Sequence, residues 1–329
     1  MVAQMKKAIV TGATGFIGAA FVEFLSARGV EVLALGRKHL NNIGIARFDK
    51  LRGARYLQLD MDEIARLPAA LNEMGWLAGP ECVFFNLAWG GELGLSDLNV
   101  ASQLGNVTHA VHALETADQI GCSRFIQVGT MEEVFTQKYL ELDYHQHNQY
   151  NRHVIYSVAK MAARHALEVR APQLGMDLIY VLHSHVMGPD DDKDSFLQVT
   201  LQKLMYGEEL IFSSGEQYFD VISLEDCALG YYLISKKGQP GREYWVGSGE
   251  PQRLRKYVER MYTLFPSDKE MQFGKLSYND IVLDKEAFSI SSLVQDTGYE
   301  PMITYEETVR ALHKHLSAVD SDNKINESL

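Results

Sequence analysis

Short apolar runs alternate with amphipathic stretches along the first half of the chain, and this alternation predicts its secondary structure. Residues 8–10 form an apolar run that is followed by a glycine-rich turn over residues 11–18. Over residues 19–28 the apolar side chains recur at helical spacing, and residues 30–35 form a second apolar run. Because strand, turn, helix and strand follow one another within about 30 residues, the pattern predicts a βαβ unit.

The same pattern continues to residue 188 and predicts an α/β fold. Residues 56–59, 83–87 and 124–128 are further apolar runs of strand length, and residues 106–120 have helical periodicity. Short buried strands that alternate with helices indicate a parallel sheet covered by helices on both faces, which is a doubly wound sheet.

After residue 188 the segments become shorter and are interrupted by Gly and Ser. Residues 1–188 are therefore expected to form the main domain, and residues 189–319 are expected to be mainly a smaller region that faces a substrate. The acidic run from Asp190 to Asp194 is expected to be a solvated loop. Residues 320–329 are polar and are expected to form a flexible tail.

The composition narrows the functional classes. The 329 residues include 31 Lys and Arg against 43 Asp and Glu, a formal net charge of −12, which argues against a nucleic-acid-binding protein. The three cysteines, Cys82, Cys122 and Cys227, are widely spaced, so neither a disulfide framework nor a metal site is expected. No apolar run approaches the roughly 20 residues of a membrane helix, and the N-terminus does not resemble a signal peptide. The expectation is a cytoplasmic protein without membrane contacts.

The turn after the first strand carries Gly12, Gly15 and Gly18. Glycines at this spacing let the backbone approach a pyrophosphate, while the N-terminus of the following helix provides unpaired N–H groups for it. A strand before the turn and a helix after it support this interpretation over a tight turn without a ligand. We therefore predict a Rossmann-type domain that binds a dinucleotide.

The residues that follow the second strand bear on the choice of dinucleotide. A carboxylate there favours NAD, whereas an Arg can pair with the 2′-phosphate of NADP. The chain has Gly36, Arg37 and Lys38 and no carboxylate at this point, although a solvated basic loop is the alternative interpretation. The sequence predicts NADP(H) in preference to NAD(H).

Tyr156 and Lys160 begin a stretch with helical apolar spacing. Residues at positions i and i+4 lie on one helix face, so the phenol and the ammonium are expected to be neighbours. A nearby cation favours the phenolate and is expected to lower the pKa of Tyr156, which could then exchange a proton with a hydroxyl or carbonyl oxygen. The pair taken alone is a weak signal.

Together these motifs resemble the short-chain dehydrogenase/reductase superfamily. The resemblance is carried by the TGxxGxxG segment at 11–18, by Gly129-Thr130 after a strand, and by the pair Tyr156 and Lys160. The chain length, Asn86-Leu87-Ala88 and Gly188-Pro189 resemble the extended branch of that superfamily, and segments 215–222, 244–255 and 297–307 continue the similarity. That branch comprises the NAD(P)-dependent epimerases, dehydratases and ketoreductases of nucleotide sugars, including those of deoxysugar and lipopolysaccharide O-antigen biosynthesis.

The resemblance implies roles for individual residues. Tyr156 would be the catalytic acid/base, Lys160 its pKa partner and a ribose ligand, Thr130 a hydrogen-bond donor to the reacting oxygen, and Asn106 a support of the active site. The implied cofactor contacts are Gly12, Thr14, Gly15, Phe16, Ile17, Gly18, Arg37, Lys38, Asp60, Met61, Leu87, Ala88, Trp89, Tyr156, Lys160, His183, His185 and Val186. The implied substrate contacts are Thr130, Glu132 and Gln217. For Asn106, Asp60 and His185, ordinary capping or core packing is an equal alternative.

The chain also departs from the family's pattern. Val134-Phe135-Thr136 replaces the usual Tyr-Gly pair, Phe219 occupies a position where an Arg often contacts the phosphates, and His185 replaces a common Asn. With Phe219 in place of that Arg, the typical contact to the substrate's phosphates is not expected.

Three chemistries share the implied scaffold. A 4,6-dehydratase uses an acid–base pair directly after its Thr, but here Met131 separates Thr130 from Glu132 and Glu133. A 4-epimerase retains NAD, which Arg37 and Lys38 disfavour. We therefore expect NADPH-dependent reduction of the C4 ketone of a nucleoside-diphosphate-linked 4-keto-6-deoxyhexose, with dehydratase or epimerase as alternatives. A non-enzymatic NADP(H)-binding sensor or scaffold is a further alternative.

The expected partners are a nucleotide-sugar substrate and a second copy of the chain. In this branch, helices equivalent to 106–117 and 156–169 often pair with their copies. The apolar side chains of the first helix could face a partner or the helix's own sheet. No nucleic-acid partner is expected.

Overall fold

A seven-stranded parallel sheet forms the centre of the protein, as the computed structural model of residues 5–91, 94–140, 153–191, 195–277 and 281–327 shows. Its strands are β1 (Lys7–Thr11), β2 (Glu31–Gly36), β3 (Arg55–Gln58), β4 (Cys82–Asn86), β5 (Arg124–Val128), β6 (Asp177–His183) and β11 (Glu243–Val246). The strand order is β11-β6-β5-β4-β1-β2-β3, and all neighbouring strands are parallel. The predicted α/β fold with a Rossmann-type doubly wound parallel sheet is confirmed.

The strand order reverses at β1, which pairs with β2 on one side and with β4 on the other. Thr11, the last residue of β1, lies opposite Leu35 of β2 and Asn86 of β4. In open α/β sheets the ligand crevice lies at such a switch point, outside the carboxyl ends of the strands. The glycine-rich turn begins directly after Thr11 and therefore lies at the mouth of this crevice.

Helices cover both faces of the sheet. They are α1 (Phe16–Ser26), α2 (Ile45–Lys50), α3 (Leu67–Met74), α4 (Val100–Gln119), α5 (Glu132–Leu140), α6 (Val154–Leu174), α7 (Phe196–Tyr206), α8 (Leu224–Lys237), α9 (Leu254–Leu264), α10 (Ser291–Thr297) and α11 (Tyr305–Glu327). Alternate strand residues point to opposite faces, so Ala8 and Val10 pack with α1 and α8 while Ile9 packs with α3, α4 and α6. Two separate cores result.

The second half of the chain contributes to the sheet domain and also builds a third core. Strand β11 lies at the edge of the main sheet, and α8 packs on α1, with the rings of Phe21 and Tyr231 5.6 Å apart. Short strands form three pairs: β7 (His185–Met187) with β10 (Val221–Ser223), β9 (Tyr218–Phe219) with β12 (Gln252–Arg253), and β8 (Leu210–Ile211) with β13 (Met271–Gln272). The functional boundary at residue 188 stays a prediction. The expected tail at 320–329 overlaps α11, which is helical to Glu327, and its flexibility stays a prediction.

The predicted elements match the structure with boundary shifts of up to three residues, except for one helix that begins six residues earlier. The strand expected at 124–128 has the same bounds, while the helix expected at 106–120 begins earlier, at Val100. The side chain of Asn99 caps this helix by accepting a hydrogen bond from the Ser102 N–H at 3.1 Å. The first turn was missed because Val100 and Leu104 are exposed apolar residues, which blur the helical periodicity.

Asp190 corrects the expectation of a fully solvated acidic loop. Its side chain is only 17% exposed and forms ion pairs with Lys50 at 2.9 Å and with the His315 ring at 3.6 Å. Its backbone has a φ of 68°, and its carbonyl accepts a hydrogen bond from Arg47 at 3.1 Å. Residues 192–194 lie outside the described ranges. Asp190 therefore joins the sheet domain to the C-terminal helix.

Candidate active site

The glycine turn has the close backbone contacts that require glycine. Gly12 has a φ of +67°, and a Cβ at this residue would lie 2.9 Å from the Ala88 nitrogen. A Cβ at Gly18 would lie 2.2 Å from the Gly12 carbonyl oxygen. Gly15 precedes α1 and provides no side-chain cap. The N–H groups of the first turn of α1 are thus available to a phosphate, as a dinucleotide site requires.

A buried polar network holds the neighbouring loop against this turn. The Thr11 hydroxyl donates to Asn86 Oδ1 at 2.7 Å and accepts from the N–H groups of Leu87 at 3.1 Å and Ala88 at 3.0 Å. Asn86 Nδ2 donates to Gln127 Oε1 at 2.8 Å. The predicted contact residues Leu87 and Ala88 are therefore fixed beside the glycine turn.

Arg37 and Lys38 follow β2, where the predicted 2′-phosphate site lies. Gln58 Nε2 donates to the Arg37 carbonyl at 3.1 Å, and the Tyr56 hydroxyl donates to the Lys38 carbonyl. Both cationic side chains are exposed. The backbone at this point is fixed, and two positive charges border the crevice.

Arg47 is a third cation beside the glycine turn that the sequence analysis missed. From α2, its guanidinium donates to the Thr14 carbonyl at 3.2 Å. The signal that could have identified it is a cation in the first helix after β2. Arg47 therefore links the turn to the Asp190 loop described above.

Asp60 and Asn106 have hydrogen bonds that explain their presence without a ligand. Asp60 Oδ1 accepts from the Met61 N–H at 2.6 Å and caps the short 3₁₀ helix Met61–Arg66. The Asn106 amide accepts from the Gly90 N–H at 2.9 Å and donates to the Gly90 carbonyl at 3.0 Å. Asn106 thus holds the loop after β4, and its support of the active site stays a prediction.

Trp89, in that same loop, contacts both predicted catalytic residues. Its ring lies 6.0 Å from the Tyr156 ring in an edge-to-face arrangement and 4.1 Å from the Lys160 ammonium. Its Nε1–H donates to Gln103 Oε1 at 2.8 Å. Gln103, a fully buried amide on α4, was not identified from the sequence.

Thr130, Tyr156 and Lys160 come together at the carboxyl end of β5. The Thr130 side chain lies close enough to the Tyr156 hydroxyl to lower its pKa. Lys160 lies one turn further along α6, and its ammonium is 5.8 Å from the centre of the Tyr156 ring. The ammonium also donates to the Val128 carbonyl at 3.0 Å. The predicted spatial arrangement of these three residues matches the structure.

The pKa of Tyr156 contradicts the expectation that Lys160 lowers it. Burial raises the pKa of Tyr156, a hydrogen bond from Thr130 opposes this shift, and the carboxylates of Glu133 and Glu132 raise it further. The ammonium of Lys160 instead donates to the Val128 carbonyl and contacts the Trp89 ring. Tyr156 is therefore a protonated phenol at neutral pH and can act as a proton donor.

The two glutamates after Met131 have different surroundings. Glu132 is the first residue of α5. Its Oε2 is paired at 2.9 Å with the ring of His153, the residue that precedes α6. Glu133 is fully buried, and its Oε1 accepts hydrogen bonds from the Thr130 N–H at 3.0 Å and the Tyr180 hydroxyl at 3.1 Å. The two carboxylates therefore do not form an exposed acid–base pair.

The predicted cofactor contacts His183, His185 and Val186 lie at the end of β6 and at the start of β7. The His183 ring bonds the Ser184 carbonyl at 2.8 Å, and Val186 packs in the core. Burial lowers the pKa of His185 to about 4, so this ring is neutral at pH 7. Its Nε2 and Gln217 Oε1 are buried without a hydrogen-bond partner within the described ranges. Their contacts to cofactor and substrate stay predictions.

Comparison with known proteins agrees with this geometry. Residues 8–247 match the model of the NAD dependent epimerase/dehydratase family. The chain is 24% identical to the uncharacterized protein YbjS of Escherichia coli over 306 residues, which cover 91% of this chain and 86% of that protein. It is also 24% identical to the CDP-abequose synthase of Salmonella typhimurium over 324 residues, which cover 94% and 97% of the two chains.

Solved structures with the same fold include two sugar-nucleotide enzymes. The UDP-glucose 4-epimerase of Thermotoga maritima, solved with UDP-glucose, aligns with a TM-score of 0.75 at 19% identity and covers 95% of this chain and 99% of its own. The dTDP-glucose 4,6-dehydratase of Bacillus anthracis, solved with NAD, aligns with a TM-score of 0.74 at 16% identity and covers 95% of this chain and 96% of its own. With the family model covering most of the sequence, the chain belongs to the NAD-dependent epimerase/dehydratase family, the extended branch of the short-chain dehydrogenase/reductases.

Proposed function

We propose that the protein is an NADPH-dependent reductase of the C4 ketone in a nucleoside-diphosphate-linked 4-keto-6-deoxyhexose. The observation that carries the proposal is the neutral Tyr156 phenol, with Thr130 beside its hydroxyl and the Lys160 ammonium 5.8 Å from its ring. Reduction of a ketone requires a proton donor at the carbonyl oxygen, and a neutral phenol is such a donor. The similarity to CDP-abequose synthase over nearly the whole of both chains supports a role in deoxysugar chemistry.

The residues of the crevice fit a dinucleotide. The space beside Gly12 and the uncapped start of α1 would hold the pyrophosphate, and Lys160 would hold the nicotinamide ribose. When bound, NADPH supplies the hydride for the C4 carbon of the substrate. Tyr156 donates its proton to the carbonyl oxygen, and Thr130 holds that oxygen by a hydrogen bond. Glu132 and Gln217 are the proposed substrate contacts.

The proposal includes a preference for NADPH, although the family is named for its dependence on NAD. Arg37 and Lys38 are exposed at the carboxyl end of β2, and Arg47 contacts the glycine turn at Thr14. A guanidinium pairs well with a phosphate, since its donors match the phosphate oxygens in pairs. These three cations support a 2′-phosphate site.

The alternative chemistries have less support in the arrangement of the carboxylates. A 4,6-dehydratase needs an acid and a base that reach the substrate, whereas Glu133 is fully buried and bonded to the Thr130 backbone. An epimerase with tightly held NAD would not need the cations that follow β2. A non-enzymatic sensor would not need Thr130 beside the Tyr156 hydroxyl.

The experiment is NADPH oxidation with a panel of 4-keto-6-deoxy nucleotide sugars. We expect substrate-dependent loss of absorbance at 340 nm with wild-type protein and very little with Tyr156→Phe. Mass spectrometry identifies reduction of these ketosugars as a gain of two hydrogens, and a parallel assay with nucleotide-linked hexoses that still carry the 6-hydroxyl identifies 4,6-dehydration as a loss of water. Binding of nucleotide sugars without any turnover across the panel would contradict the proposal and favour the sensor.

A further inference from the structure

Glu133 is a fully buried carboxyl group next to the active site that the proposed reaction does not use. It lies in the first turn of α5, and its Oε1 accepts hydrogen bonds from the Thr130 N–H and the Tyr180 hydroxyl. Its Oε2 is buried and has no hydrogen-bond partner among the described residues. A buried polar atom without a partner is rare in native proteins and calls for an explanation.

Gly129 makes room for this carboxyl group. A Cβ at residue 129 would lie 2.5 Å from Glu133 Oε1 and 2.5 Å from a ring carbon of Tyr180. A side chain at this point would therefore displace Glu133 from the Thr130 backbone. Glycine at residue 129 thus leaves the space in which the Glu133 carboxyl group contacts the Thr130 backbone.

The segment 128–130 is held from both ends by opposite charges. The Lys160 ammonium, only 3% exposed, donates to the Val128 carbonyl at 3.0 Å, while Glu133 accepts from the Thr130 N–H at 3.0 Å. The Thr130 side chain in turn lies beside the Tyr156 hydroxyl, whose pKa it lowers. A change in the charge of Glu133 therefore reaches Tyr156 by two routes. One runs through Thr130, whose N–H donates to Glu133, and the other is the direct electrostatic effect of Glu133 on the Tyr156 hydroxyl.

We propose that Glu133 is a positioning residue that makes the active site sensitive to pH: its carboxylate holds the Thr130 backbone, and its ionisation changes the environment of the Tyr156 hydroxyl. The inference rests on the proposed role of Tyr156 as the proton donor. It gives Glu133 a role different from that of a dehydratase base, because the carboxylate contacts backbone and Tyr180 and no part of it is exposed to a substrate.

The groups around Glu133 place its ionisation in the physiological range. Burial raises the pKa of Glu133 to about 7, against the opposing effects of Lys160, the Thr130 N–H, the Tyr180 hydroxyl and Arg164. Among the described residues, Tyr156 on α6 also faces this cluster, and so does Glu132 on the same helix, which is paired with the His153 ring. Glu133 therefore changes charge near neutrality, where Tyr156 remains a neutral phenol.

The test follows Thr130 and Tyr156 by NMR in full-length protein labelled with ¹⁵N-threonine and ¹³Cζ-tyrosine. Thr130→Ser and Tyr156→Phe identify the two signals by their disappearance. Between pH 5.5 and 8.5 we expect both wild-type signals to shift with a common midpoint near pH 7. In Glu133→Gln, whose amide oxygen can still accept both hydrogen bonds, both inflections should vanish.

A matched control is Glu168→Gln on α6. Glu168 is bonded to Arg164, and its side chain is 45% exposed, so this variant removes a carboxylate near the cluster but outside it. Both inflections should remain in this control. Should Glu133→Gln fail to fold, Tyr180→Phe tests the same idea. Loss of one hydrogen bond to the ionised carboxylate should move the common midpoint to higher pH.

Signals that do not titrate near neutrality in the wild type would overturn the inference. Inflections that persist in Glu133→Gln, or a midpoint that does not move in Tyr180→Phe, would also overturn it. The NMR measurement needs no substrate, so it separates the two proposals. Titration that depends on Glu133 in a protein without reductase activity would refute the proposed function alone, and reductase activity without this titration would refute the role of Glu133 alone.

Discussion

The ammonium of Lys160 lies 4.1 Å from the centre of the Trp89 ring, and the same ring contacts the edge of Tyr156. A cation over an indole face is stabilised by about 0.5–2 kcal/mol. We expect Trp89→Leu to lower kcat/KM for the ketosugar by about 2- to 30-fold, because Lys160 loses this contact. Trp89→Phe keeps an aromatic face and should lose less. Equal steady-state losses in both variants would show that the cation–π contact is unimportant.

The proton donor is tested by a pair of substitutions, one at Tyr156 and one at Thr130. General acid catalysis contributes about 10²- to 10⁴-fold, so Tyr156→Phe should lose at least that much in kcat while it binds NADPH nearly normally. Thr130→Ala removes one hydrogen bond and should cost about 1–3 kcal/mol in the activation free energy. Stopped-flow reduction and NADPH fluorescence titration measure the two effects. Wild-type turnover in Tyr156→Phe, with chemistry rate-limiting, would rule out its assigned role.

Cofactor preference depends on the cations at the carboxyl end of β2. The loss of a charge-assisted contact costs about 1.5–3 kcal/mol, so the wild type should prefer NADPH over NADH by about ten- to hundredfold. Arg37→Ala should abolish most of this preference. Arg52→Ala is the control, because Arg52 is exposed and paired with Asp49 away from the crevice. Fluorescence titration with both cofactors gives the ratio, and an unchanged ratio in Arg37→Ala would refute the assignment.

A homodimer through α4 and α6 is the expected assembly. Ala110 and Leu114 of α4 are buried against the protein's own sheet, whereas Leu104 is 48% exposed and Val169 of α6 is 66% exposed. We expect sedimentation at micromolar concentration to show a dimer and Leu104→Glu to shift it towards monomer. Leu77→Glu, at a 74% exposed position in the loop after α3, should leave the dimer intact. A wild-type monomer would contradict this prediction.

The raised pKa of Glu133 predicts how stability depends on pH. The folded protein holds this proton up to about pH 7, whereas the ordinary pKa of the group is 4.5. A raised pKa in the folded state favours folding at low pH, and this contribution is lost as the pH rises from about 4.5 through 7. Between pH 5 and 8 the wild type should lose about 2–3 kcal/mol of unfolding free energy relative to Glu133→Gln. Urea denaturation at several pH values measures the difference, and parallel curves would contradict it.

The sequence by itself determined the fold and the family, because these depend on local patterns. Alternation of apolar strands and helices predicts a doubly wound sheet, and three glycines between strand and helix locate the phosphate turn. A spacing of four residues places Tyr156 and Lys160 on one face of α6. Each of these features is a property of neighbours along the chain, so no contact between distant residues was needed to find it.

Only the tertiary structure decided the environment of those groups. The carboxyl ends of β1, β4 and β5 bring together residues far apart in sequence, so the Thr11–Asn86–Gln127 network and the place of Trp89 beside Lys160 could not be read from spacing. The pKa of Tyr156 rises because desolvation, a property of three-dimensional packing, outweighs the hydrogen bond from Thr130. For the same reason Glu133, one of two adjacent glutamates in the sequence, becomes a buried carboxyl group that holds the catalytic segment.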